Sequence, residues 1–87
     1  MNIFAIIPTS ENSNLPEQIK RVFASNHYEL PHGEWLVAFG GTTREASDLL
    51  GISDGQYGSA VIFLVMNYWG FADKNIWEWI AVKEKQT

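Results

Sequence analysis

The side chains that could do chemistry are few and scattered. His27 and His32, the two histidines of the chain, flank the turn in HYELPHGE beside Glu29 and Glu34, and these are donors that a divalent metal accepts. Their spacing matches no metal pattern such as H-E-x-x-H, and the ordinary role for histidines beside a hairpin turn is to face solvent. Acid–base work needs paired carboxylates, for which Asp48, Asp54, Asp73 and Glu78 are the candidates. Asp54 already belongs to an Asp-Gly turn, Asp73 precedes the last helical segment as an N-cap, and Glu78 falls on the wet side of that segment. Ser10, Ser13 and Ser59 lack the G-x-S-x-G context of an activated nucleophile. No catalytic residue, metal or cofactor is therefore assigned.

One turn has the makings of an anion site. In FGGTTRE, Gly40, Gly41, Thr42 and Thr43 lead from an apolar run into a helical one, with Arg44 alongside. Free N–H groups at a helix start attract phosphate-like groups. The stretch has neither the G-x-x-x-x-G-K-[ST] nor the G-x-G-x-x-G arrangement, and a plain strand-to-helix connection needs the same glycines.

Positioning these groups falls to seven short segments. Asn2 to Pro8 is an uninterrupted apolar strand. Pro16 opens a helix whose stripe is Leu15, Ile19, Val22 and Phe23, with Glu17 and Arg21 an i,i+4 pair on its wet face. Two strands follow around Pro31-His32-Gly33, the second alternating Trp35, Val37 and Phe39 against Leu36 and Ala38, so both of its faces are apolar. Thr42 and Glu45 fit a capping box, Ala46, Leu49 and Leu50 form the stripe behind it, and Gly51 stops the helix. After the turn-rich ISDGQYG comes SAVIFLVMNYW, an apolar strand closed by Tyr68 and Trp69. A final helix from Asp73 to about Val82 places Ile76, Trp77 and Ile80 on one arc, with Trp79 at its flank. Trp77 is thus the expected core tryptophan and Trp79 the more exposed one.

Composition narrows the reading further. Eighty-seven residues with 46% hydrophobic and 18% charged side chains make a single domain, residues 1–87, with one small core. The chain has no cysteine, which removes disulfides and thiolate chemistry. Six basic against ten acidic side chains disfavour nucleic acid and favour a basic protein partner. The N-terminus has no secretory pattern, and no apolar run reaches the roughly 20 residues of a membrane span, so a cytoplasmic location is expected.

The segment order strand, helix, strand, strand, helix, strand predicts an α+β fold, a ferredoxin-like split β-α-β antiparallel sheet of order 4-1-3-2 with an additional C-terminal helix. The last strand would then be an apolar edge, covered by that helix or by a second copy. The stretch WLVAFGGTTREASDLLGISDGQYGSAVIF, followed by NYWGFADKNIWEWI, resembles small proteins of bacteria and their phages with a W-L-V strand, a T-x-x-x-x-S-x-x-L-G-I helix and an IWEWI-like helix. That resemblance implies a fold and carries no activity. The fold also resembles nucleases of CRISPR integration complexes and related toxin and antitoxin endoribonucleases, which hold a metal through an aspartate ending the first strand. Here that strand ends Ile6-Ile7-Pro8-Thr9, without a carboxylate.

The expected function is that of a non-catalytic interaction protein, of the antitoxin or phage-inhibitor kind, able to form a homodimer. Its expected contact residues are Tyr68, Trp69, Phe71 and Trp79, since tyrosine and tryptophan are enriched at binding hot spots. The alternative is a metal-dependent nuclease or nucleotide-binding regulator on the same fold.

Overall fold

The computed structural model describes residues 1–11, 14–56 and 58–86. Ser13 lies outside the described residues. The elements run β1 (Asn2–Pro8), α1 (Leu15–Val22), β2 (His27–Glu29), β3 (Trp35–Phe39), α2 (Thr43–Leu50), β4 (Ala60–Leu64) and α3 (Lys74–Lys85). The four strands form one antiparallel sheet in the order β2-β3-β1-β4, giving a mixed α+β architecture.

Side-chain alternation along the strands splits the apolar residues between two faces. Phe4 and Ile6 of β1, with Trp35 and Val37 of β3, turn toward α1 and α2, where they meet Leu15, Ile19, Phe23, Ala46 and Leu50. All nine are buried, and each large aliphatic or aromatic side chain taken out of water there contributes about 1.5–3 kcal/mol. Trp35 is the tryptophan of this core, only 2% exposed. The second face is smaller: Ile3, Leu36 and Ala38 pack under Ile80 of α3, with Ile76, Trp77, Trp79 and Tyr28 half-buried around them.

Local chemistry explains the shorter elements. At the start of α2, Thr42 Oγ1 accepts from the Glu45 N–H at 3.1 Å while Glu45 Oε1 accepts from the Thr42 N–H at 3.0 Å, which closes the capping box. Gly51, at φ 72, stops the helix in the left-handed region that a side chain would oppose. Between β2 and β3 the Leu30 N–H donates to the Glu34 carbonyl at 2.8 Å. Pro8 ends β1 where β3 has already given way to that hairpin, so its missing N–H costs the ladder nothing.

Several expectations are corrected. The strand drawn through Tyr68 and Trp69 ends at Leu64; the register sets Met66 opposite Asn2, the first residue of β1, so the ladder runs out of partners and residues 66–73 form a connection. In α3, which continues to Lys85, both Trp77 and Trp79 are half-buried, because the helix rests on a sheet face only a few residues wide. The helix lies over the second face of the sheet and leaves the β4 edge open. Its arc of Ile76, Trp77 and Ile80 needs an apolar bed, whereas the edge offers polar backbone. Leu49 is half exposed, so the α2 stripe reduces to Ala46 and Leu50. Arg21 donates to Gln18 Oε1, at 2.7 Å from Nη2 and 3.2 Å from Nε, in place of the expected pairing with Glu17. Among the described residues, the i,i+4 ion pair is Lys74–Glu78, at 3.6 Å on the surface.

Candidate functional site

The connection from β4 to α3 gathers apolar side chains that the fold does not use. Trp69 is 98% exposed, Phe71 is fully exposed and Met66 is 83% exposed. Solvated aromatic rings in a row are unusual on a small domain, because each leaves apolar area in water that neither core recovers. Tyr68 is the tether of this segment. Its ring stacks on Trp77 with centroids 5.9 Å apart and planes inclined by 15°, and its hydroxyl donates to Glu84 Oε1 at 2.8 Å. That hydrogen bond to a carboxylate raises the Tyr68 pKa above the ordinary phenol value; partial desolvation and the Glu84 charge act in the same direction. The Asn67 side chain accepts from the Tyr68 N–H at 2.9 Å, a local bond that takes the place of a ladder partner.

Tyr68, Trp69, Gly70 and Trp77 line an open cleft of about 320 Å³. Its walls are aromatic and carry no charge, so it can take an apolar or aromatic side chain by stacking. No group in it is suited to move a proton or attack a carbonyl.

Of the four expected contact residues, Tyr68 and Trp69 line the cleft, and Phe71 follows in the same connection outside its lining. Trp79 stands apart, with its ring 5.8 Å from Tyr28 of β2 on the far flank of α3. Apart from this loop, the sheet itself leaves a group of apolar side chains exposed that sequence reasoning did not single out. Ile7, Val61 and Phe63 lie on the second face beyond the reach of α3 and are 40%, 42% and 53% exposed. Their signal was the alternation of an edge strand, in which the odd positions share the face that α3 covers only in part.

The other candidates are dispersed. In the Gly40–Arg44 turn, Glu45 already occupies the Thr42 N–H, so an incoming anion would meet a carboxylate at the helix start. Gly41 is fixed by packing, since a Cβ there would lie 2.5 Å from the Phe39 ring. His27 Nδ1 donates to the Phe23 carbonyl at 2.8 Å and its ring lies 5.8 Å from Trp35, whereas His32 is exposed. Asp54 Oδ1 accepts from the Gln56 N–H at 3.1 Å, and Glu78 faces Lys74. Asp73 precedes α3 without a side-chain cap bond, and Asp48 lines a shallow surface hollow with Glu45 and Leu49. Ser10 Oγ accepts from the Ser59 N–H at 3.1 Å, a bond that ties two loops together. Among the described residues, no three histidine or carboxylate side chains gather as a metal site would require, and no helix is long and apolar enough to cross a membrane.

Comparison with protein families, curated proteins and solved structures finds no match to this chain.

Proposed function

We propose that the protein is a non-catalytic binding module acting on another protein in the cytoplasm, built on a ferredoxin-like fold with α3 added. The element order, with strands running β4-β1-β3-β2 and every neighbour antiparallel, supports the fold assignment. A single observation carries the functional one: Trp69 and Phe71 stand in solvent on one connection, and Trp69 lines an uncharged aromatic cleft there. Rings held out of the core in this way are the anchors that protein interfaces bury, and truncating such an anchor typically costs 2 kcal/mol or more of binding. The partner presents an apolar side chain to the cleft. A basic surface around it would complement a chain of net charge −4. Covering a partner in this manner is how an antitoxin or an inhibitor acts.

Retention from a cytosolic extract on immobilised wild-type protein and on the W69A/F71A variant tests the reading. Both rings are exposed, so the variant should fold with an unchanged melting curve and lose its specific partner by about 30-fold or more in affinity. Equal retention by both proteins would exclude the loop as the contact surface.

A further inference from the structure

The outer edge of β4 is built to receive another strand. In the ladder with β1, the Val65 N–H donates to the Ile3 carbonyl and the Thr9 N–H donates to the Ser59 carbonyl, each at 2.9 Å. Bonded pairs alternate in an antiparallel ladder, so Ser59, Val61, Phe63 and Val65 turn their backbone groups toward β1. Ala60, Ile62 and Leu64 turn theirs outward. Nothing among the described residues covers them, because β4 is the last strand of the sheet and α3 lies over its face. Exposed edges are usually blunted by a charge, a proline or a bulge. None of the six basic and ten acidic side chains falls between Ser59 and Ala72, nor does a proline.

We propose that a second copy of this chain occupies that edge, β4 pairing antiparallel with β4 about a twofold axis at Ile62. The pairing is self-complementary. Ile62 exchanges both bonds with Ile62 of the second copy, and Ala60 and Leu64 exchange theirs with Leu64 and Ala60, about six backbone bonds in all. Val61 then faces Phe63 of the second copy on the α3 side of the sheet, so two valines and two phenylalanines close into one apolar cluster beside Ile7. The edge offers a charged partner no counter-charge, and what it does present, backbone groups and apolar side chains, is what a second copy presents in return. Two molecules of net charge −4 repel at most surfaces but meet here through a segment that carries none. The assembly also stops at two, since an isologous contact consumes both β4 edges and leaves only the short β2 edges. Met66 falls opposite Gly58 of the second copy, so each aromatic loop emerges past the end of the paired strands. The inference concerns a different surface from the binding loop and is tested on the purified protein alone.

The mass of the wild-type chain, read by sedimentation across micromolar concentrations, should be twice 9.9 kDa. Amide exchange should protect Ala60, Ile62 and Leu64, and that protection should fade on dilution. Two variants of similar polarity fix the register. V61E/F63E sets like charges face to face and should weaken the dimer about 100-fold or more, whereas V61K/F63E sets opposite charges there and should stay within about tenfold of wild type. A monomer at every concentration, a species larger than a dimer, or a dimer whose three amides exchange freely overturns the proposal. So does an equal response of two folded variants; if either fails to fold, the wild-type amides decide.

Discussion

The two edges of the sheet meet water in opposite ways. β2 has three residues, is followed by Pro31, and ends on the exposed carboxylate of Glu29. Its side chains are engaged on both faces, His27 with the Phe23 carbonyl and Tyr28 with the Trp79 ring. β4 has five residues, all apolar, and its even-numbered backbone groups face outward. Length, charge and proline make β2 a poor template for a foreign strand, whereas β4 lacks all three protections. A small acidic domain with one blunted edge and one pairing-competent edge can associate without forming an open chain of molecules.

The sharpest way to break that comparison is to place proline at successive positions of β4. Phe63 sends its N–H to β1, so F63P removes a ladder bond, wedges the strands apart and should cost about 2–3 kcal/mol or more in urea unfolding. Leu64 sends its N–H outward, so L64P should cost less than about 1 kcal/mol in a monomer and abolish only association. Equal destabilisation by the two would mean that the outer edge of β4 is not free.

Much of this arrangement was legible in the sequence, for identifiable reasons. Thr42, Glu45 and Gly51 announced α2 because capping is local chemistry. The alternation in Trp35–Phe39 announced a strand buried on both faces. Where β4 stops was not legible, because that depends on where β1 begins, a long-range fact that periodicity does not carry. The fate of the tryptophans was hidden for a similar reason. The arc of α3 gives relative positions around the helix, while burial depends on the width of the bed beneath it, and here Ile3, Leu36 and Ala38 support only the centre. The binding loop was partly legible, since Tyr68, Trp69 and Phe71 follow in sequence, but the exposure of Val61 and Phe63 needed the register with β1.

Trp79 and Trp69 provide a second, smaller test, one on the side of each edge. Trp79 secures β2 through Tyr28, so W79A should lower stability by about 2 kcal/mol, roughly half the cost of removing a fully buried aromatic ring. Trp69 touches solvent, and W69A should stay within about 0.5 kcal/mol of wild type. Guanidinium unfolding followed by circular dichroism distinguishes them; a reversed order would move the binding surface to the β2 side.

The smallest effect concerns how the β4 side is tethered to α3. Tyr68 holds the aromatic loop through its ring on Trp77 and its hydroxyl on Glu84. The folded-state pKa of Tyr68 lies above the ordinary value of 10.0, chiefly because its hydroxyl donates a hydrogen bond to the Glu84 carboxylate. A pKa raised on folding means that the contact stabilises fully below the unfolded value and is lost as pH rises through the folded one, where phenolate and carboxylate repel. The tether should therefore persist across neutral pH and release only in strong alkali, with a change in Trp77 fluorescence as the stacked ring departs. Phenolate absorbance should show an ionisation above the ordinary phenol range that is absent in Y68F and moves back toward that range in E84Q. If Y68F retains that ionisation, the hydroxyl is not engaged with Glu84 in solution, and the loop that follows β4 is held by ring stacking alone.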